Sequence, residues 1–188
     1  MPTVIIRPNA TALSNSWTNT GGASIHAVTS DSDDTTFTNN AAQNQTFILN
    51  LDDVSLSGAT FNSWTMTLGG RKGGKGSATL IARFLNTSAG ISTSTSVSLT
   101  SGSFVNVAAG AASFPSGIDD SDVNDCIVRI DTTGGTQCFI SEVFVTIDYT
   151  AASSATVHSV NGVAEANIAT IKGVAHANIA EVNTVTFD

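Results

Sequence analysis

Gly69-Gly-Arg-Lys-Gly-Gly-Lys75-Gly76 comes near to a chemical motif, because Gly69, Gly74 and Lys75 stand at the spacing of a phosphate-binding loop. Two requirements of that loop are missing. Gly76 follows Lys75 where a hydroxyl should hold magnesium, and the next residues read as a strand where the loop needs a helix N-terminus facing the phosphates. Nucleotide binding is set aside on those grounds. What remains is a basic turn, since Arg71, Lys72 and Lys75 are three of the seven Lys and Arg residues of an acidic chain. It reads as a contact for an acidic neighbour or, preferably, as a solvated hairpin tip.

Carboxylates crowd two other segments, Asp31-Ser-Asp33-Asp34-Thr-Thr36 and Asp119-Asp120-Ser-Asp122 with Asp125. Oxygen ligands of this kind suit calcium, with Asp31, Asp33 and Asp34 as the candidate set, although neither segment has EF-hand spacing. Solvation and side-chain bonding to nearby backbone are the preferred alternative. His26 falls on a predicted short strand, whereas His158 and His176 fall in a linker and a tail. Their spacing offers neither a Ser, His and Asp set nor a metal cluster. Trp17, in Asn15-Ser-Trp17-Thr-Asn19, is the one loop-like aromatic able to stack on a sugar of a host glycan; its competing role is a plug between sheets.

Cys126 and Cys138 are the only thiols. They are expected on neighbouring strands joined through Thr132-Thr133-Gly134-Gly135, not directly opposite one another, and reduced in the core. The net charge of -8 and pI near 4.5 disfavour nucleic acid, which needs Lys and Arg to replace phosphate counterions. The N-terminal residues carry no secretory signature, and no apolar run approaches the ~18 residues of a membrane span.

The elements that must position these residues read as strands, because apolar residues alternate between turn signals. Thr3 to Arg7, Ser24 to Thr29, Thr35 to Thr38, Gln45 to Leu51, Phe61 to Leu68, Ser77 to Leu85, Thr93 to Leu99, Ser103 to Val107, Cys126 to Asp131 and Gln137 to Tyr149 make about ten. Phe47, Leu49 and Leu51, then Trp64, Met66 and Leu68, then Val143, Val145, Ile147 and Tyr149, are the expected inward faces. The fold class expected from this pattern is a mainly β, antiparallel β-sandwich over residues 1–150, followed by a linker at 151–158.

Residues 159–188 have a different logic. Val160-Asn-Gly-Val-Ala-Glu-Ala-Asn-Ile-Ala-Thr is followed by Ile171-Lys-Gly-Val-Ala-His-Ala-Asn-Ile-Ala-Glu and by a third start at Val182. At this 11-residue period, Val160, Val163, Ile168, Ile171, Val174, Ile179, Val182 and Val185 form one apolar stripe. Burying it yields roughly 12 to 24 kcal/mol at about 1.5 to 3 per side chain. Ordering the backbone costs about 1 to 2 kcal/mol per residue, so the segment cannot cover its own stripe profitably. Copies from neighbouring chains would cover it. A short helix over Ala164 to Ile171 is expected, with Gly162 and Gly173 stopping successive helices.

These repeats resemble the Asn-Gly-Val-Ala repeats of head-fibre and tail-fibre proteins of tailed bacteriophages. The body, from Ile5-Ile-Arg7-Pro8-Asn9 through Asp33-Asp34-Thr-Thr-Phe37 to Val143-Phe-Val-Thr-Ile-Asp-Tyr149, looks like a jelly-roll module of phage virion appendages. The resemblance implies a non-enzymatic virion protein made in the host cytoplasm. It further implies a homotrimer, a capsid decoration or head-fibre protein with the major capsid protein as partner. A tail-attached adhesin reading host surface glycan through Trp17 is the alternative.

Overall fold

The computed structural model describes residues 1–14, 17–19, 24–31, 34–40 and 44–152, together with the strand residues 159–160, 163–164, 170–171 and 174–175. The chain divides into two compact units, Met1–Ala151 and Ala152–Asp188.

In chain order the first unit contains β1 (Thr3–Ile6), β2 (Pro8–Ser14), β3 (Trp17–Asn19), α1 (Ile25–Ser30), β4 (Thr38–Asn40), β5 (Thr46–Leu51), β6 (Thr60–Lys72) and β7 (Ala78–Asn86). It continues with β8 (Ile91–Ser92), β9 (Thr95–Leu99), β10 (Val105–Ser113), α2 (Asp120–Asn124), β11 (Ile127–Gly135) and β12 (Cys138–Thr150). Two six-stranded antiparallel sheets result. The first has the order β10-β6-β12-β4-β3, with β1 also on β12; the second has β2-β5-β11-β7-β8, with β9 also on β7.

The two sheets face each other across one apolar core. Alternation along β5 buries Phe47, Leu49 and Leu51, and alternation along β6 buries Trp64, Met66 and Leu68, as their sequence phase demands. Trp64 and Phe84, one from each sheet, bring their ring centroids to 4.7 Å. Val143, Val145 and Ile147 of β12 complete the first sheet's contribution, and Val128 and Ile130 of β11 the second's. A register shift between Ile140 and Glu142 lets both Ile140 and Val143 point inward, which turns Ser141 and Glu142 to the outer face opposite Gly69.

Several expectations change. Ser24 to Thr29 is not a strand, because Ile25, Val28 and Thr29 are buried at helical spacing and form the inner side of α1. The hairpin turn expected at Thr132 to Gly135 is strand as far as Gly135, and the chain turns at Thr136 and Gln137. Cys126 and Cys138 are consequently not on neighbouring strands. Cys126 precedes β11 of the second sheet, and Cys138 opens β12 of the first.

In the second unit β13 (Ser159–Val160) pairs with β14 (Val163–Ala164), and β15 (Thr170–Ile171) pairs with β16 (Val174–Ala175). Val160 opposes Val163, and Ile171 opposes Val174, so the second pairing is the first displaced by one repeat. Of the helix expected over Ala164 to Ile171, Ala164, Thr170 and Ile171 are strand residues and 165–169 lie outside the described residues. Gly162 and Gly173, expected to stop helices, also lie outside the described residues, as do Ile168, Ile179, Val182 and Val185.

Both cysteines are buried and unbridged. Burial, reinforced at Cys126 by Asp122 and Asp125, pushes that thiol from 9.0 up to about 12; burial does the same at Cys138 against a small opposing backbone hydrogen bond. A raised folded-state value means the fold holds thiol protons that the unfolded chain releases first. The stabilisation is complete below about pH 9 and fades as pH rises from there toward about 12. Urea midpoints are expected to be flatter across this alkaline range in a Cys126→Ala, Cys138→Ala double variant than in the native protein. A thiol reagent at neutral pH should label the native protein only upon unfolding.

Candidate functional site

The outer face of the first sheet concentrates the unusual polar geometry of the body. Register aligns Arg71 of β6 with Phe139 of β12, Phe139 with Asn39 of β4, and Asn39 with Thr18 of β3. Neighbouring strands are about 4.8 Å apart, so this row spans roughly 14 Å across four strands. The Arg71 guanidinium lies 3.8 Å from the Phe139 ring centroid, with Phe104 at 5.0 Å and Phe37 at 5.4 Å. The rings support one another, Phe37 meeting Phe139 edge-on at 5.1 Å. Beyond them, the Asn39 Oδ1 accepts hydrogen bonds from Thr18 Oγ1 at 2.6 Å and from Gln137 Nε2 at 3.4 Å.

The protein's other three arginines are committed to carboxylates. Arg7 donates to Glu142 at 2.7 Å while lying over Phe144. Arg83 and Arg129 both bind Asp131, Arg129 through its Nε at 2.9 and 3.0 Å. Burial alone would raise the Asp131 carboxyl, but hydrogen bonds from Arg129 and Thr46 and the charges of both arginines hold it below the usual carboxylate value. The Arg83 pair ties β7 to β11 and the Arg7 pair ties the β1–β2 corner to β12, whereas Arg129 and Asp131 pair within β11. Arg71 has aromatic neighbours and no ion pair among the described residues.

This placement corrects the basic turn expected at Gly69 to Gly76. Arg71 and Lys72 belong to β6, the turn proper is residues 73–76, and of the three cations only Lys75 sits on it. Gly69, Gly70 and Gly73 serve close packing. A Cβ on Gly69 would lie 2.9 Å from Asn106 Oδ1 and 3.0 Å from Glu142 Cβ, and one on Gly73 would lie 2.5 Å from Phe139 Cε2.

Trp17 is not a sugar platform. It is 6% exposed and packs edge-to-face on Phe47 at 4.7 Å, because the short edge strand β3 aims it between the sheets. Of the proposed calcium ligands, Asp31 accepts Thr36 Oγ1 at 2.6 Å, Asp34 accepts Ser141 Oγ at 2.7 Å, and Asp33 lies outside the described residues. Among the described residues no group of three His, Cys, Asp or Glu side chains is placed to hold a metal ion. The second acidic segment is a capping device: Asp119 and Asp122 close a reciprocal box on α2, and Asp120 accepts the Leu56 N–H at 2.8 Å. His26 lies on α1, its ring between Thr11 and Ser24 hydroxyls. Sequence reasoning missed Phe37, Asn39, Phe104 and Phe139. Phe139 gave no signal of its own, because it shares the sequence phase of Val143, Val145 and Ile147, and only the register shift between Ile140 and Glu142 turns it outward.

No protein-family model and no curated protein matches the chain. Among solved structures it is similar to a Podospora anserina GH26-CBM35 β-(1,4)-mannanase, at TM-score 0.45 and 14% identity over 85% of this chain and 30% of that one. It is also similar to the CBM22-1-GH10 modules of a Clostridium thermocellum endo-1,4-β-D-xylanase complexed with xylohexaose, at TM-score 0.41 and 11% identity over 78% of this chain and 28% of that one. The chain thus spans less than a third of either structure's length.

The packing at the Arg71 row makes a sharp prediction for two adjacent glycines. Gly73→Ala forces the Phe139 ring aside and is expected to cost about 1 to 3 kcal/mol in urea unfolding. Gly74→Ala meets Thr136 at an ordinary 3.5 Å and is expected to stay within about 0.5 kcal/mol of the native protein.

Proposed function

We propose that the chain is a structural protein of a tailed-phage virion, a capsid decoration or head-fibre protein. In this reading a jelly-roll-like body is carried on repeats that join three copies. The observation that carries it is the recurrence of one backbone pairing, Ser159 with Ala164 and Val160 with Val163, at Thr170 with Ala175 and Ile171 with Val174. Each pairing is only two residue pairs long. Hairpins of that size do not persist alone in water, and a regular repeat gives every copy the same unmet need for a neighbour. Three chains offering identical hairpins at identical heights can meet that need around a common axis.

The backbone pairings place Val160 opposite Val163 and Ile171 opposite Val174, one repeat apart along the chain. A trimer of this kind fits threefold and quasi-threefold positions of an icosahedral shell, where the major capsid protein would be its partner. The adhesin reading loses Trp17, which is core.

Light scattering on the full-length protein at micromolar concentration should report three times the 19.2 kDa chain mass. A Val163→Asp, Val174→Asp double variant should fall to the mass of one chain with the circular dichroism of the body intact. A native protein that runs as one chain, or a variant that keeps the threefold mass, would overturn the assembly reading. Particle imaging then decides the location, with a shell position expected and a tail position contradicting it.

A further inference from the structure

Arg71 is oriented for a ligand. Its guanidinium is fixed by three aromatic rings, as measured above, and no carboxylate or carbonyl acceptor is recorded for it among the described residues. A guanidinium held by stacking keeps its donors pointing sideways, in the planar fork that matches a carboxylate with two parallel hydrogen bonds. The entropy of arranging it is already spent in folding, which is the condition for tight recognition by one side chain.

The surroundings narrow the ligand class. Lys75 follows Arg71 on the turn at the end of β6, so positive charge collects beside the row on a chain of charge -8, whereas Lys72 alternates to the opposite face. An anion is attracted there locally against the overall field. Along the same row lie the Asn39 amide and the exposed Gln137 amide and Thr18 hydroxyl, donors and acceptors with the flat, open arrangement that suits ring hydroxyls. Edges of Phe104 and Phe139 supply apolar contact beside them. A deep pocket is not required, because a sugar chain lying across strands meets one side chain from each.

We infer that the outer-face row Arg71, Phe139, Asn39 and Thr18 binds a carboxylated saccharide, with the uronate carboxyl on Arg71 and ring hydroxyls on the Asn39 and Gln137 amides. No bond is made or broken. Binding is an equilibrium on the body of one chain, so it stands independently of whether three chains assemble.

The test uses full-length protein and calorimetric titration with a hexamer of galacturonate, the neutral galactose hexamer, and a hexaglutamate peptide. The galacturonate hexamer is expected to bind saturably, at least about tenfold more tightly than either of the others, and to weaken as salt is raised. Arg71→Lys keeps the charge and loses the fork, and is expected to weaken galacturonate by about tenfold or more while the circular dichroism of the folded body is retained. Asn39→Ala should weaken both sugars alike. Absence of saturable binding up to millimolar galacturonate, equal binding of the neutral hexamer, equal binding of hexaglutamate, or full affinity in a folded Arg71→Lys protein would each overturn the inference. None of these outcomes alters the mass by light scattering, so failure here is distinct from failure of the assembly reading.

Discussion

A strand pair two residues long cannot hold itself together in water, and this constraint governs the C-terminal unit. Each pairing orders a short backbone stretch for a handful of hydrogen bonds, at about 1 to 2 kcal/mol of lost entropy per residue. Apolar burial has to supply the difference, and a lone hairpin buries little. Under the proposed assembly each copy would gain its equivalents in other chains as neighbours, which would change the balance. The repeated interval between Val160 with Val163 and Ile171 with Val174 is what such stacking would require.

The body meets the same problem by a different route. Two six-stranded sheets close on each other around Trp64, Phe84, Phe47 and Trp17, giving a core that needs no partner. Its scarce charges are used in distinct ways. Arg7, Arg83 and Arg129 are matched with Glu142 and Asp131 on outer sheet faces at modest net gain, Arg83 tying β7 to β11 and Arg129 pairing within β11. Arg71 is matched with aromatic rings, an arrangement that stabilises through its stem and plane and leaves hydrogen-bonding capacity available.

The sheet architecture was legible because alternation over β5, β6 and β12 has a period that only half-buried strands produce. Phe47, Trp64, Met66 and Val145 are all where that period puts them. Short elements were not legible. The sequence of α1 has six residues, too few to separate a period of 3.6 from one of 2, and its helical spacing of Ile25, Val28 and Thr29 was read as extended chain. Glycine misled at Gly69 and Gly70, because it permits turns and close packing alike, and there it admits neighbouring strands. The Arg71 row assembles β3, β4, β6, β12 and the Phe104 region from residues far apart in sequence. No local spacing could reveal that convergence, and Phe139 shares the sequence phase of the core residues Val143, Val145 and Ile147 until the register shift at Ile140 to Glu142 turns it outward.

Amide hydrogen exchange resolved along the tail, followed as the full-length protein is diluted, tests the dependence of these hairpins on other chains most directly. Amides in the strands at 159–160, 163–164, 170–171 and 174–175 should be protected at micromolar concentration. They should lose that protection on dilution while the body's strands keep theirs. Tail amides that exchange as fast as an unstructured peptide at every concentration, or that stay protected in a single chain, would contradict the account.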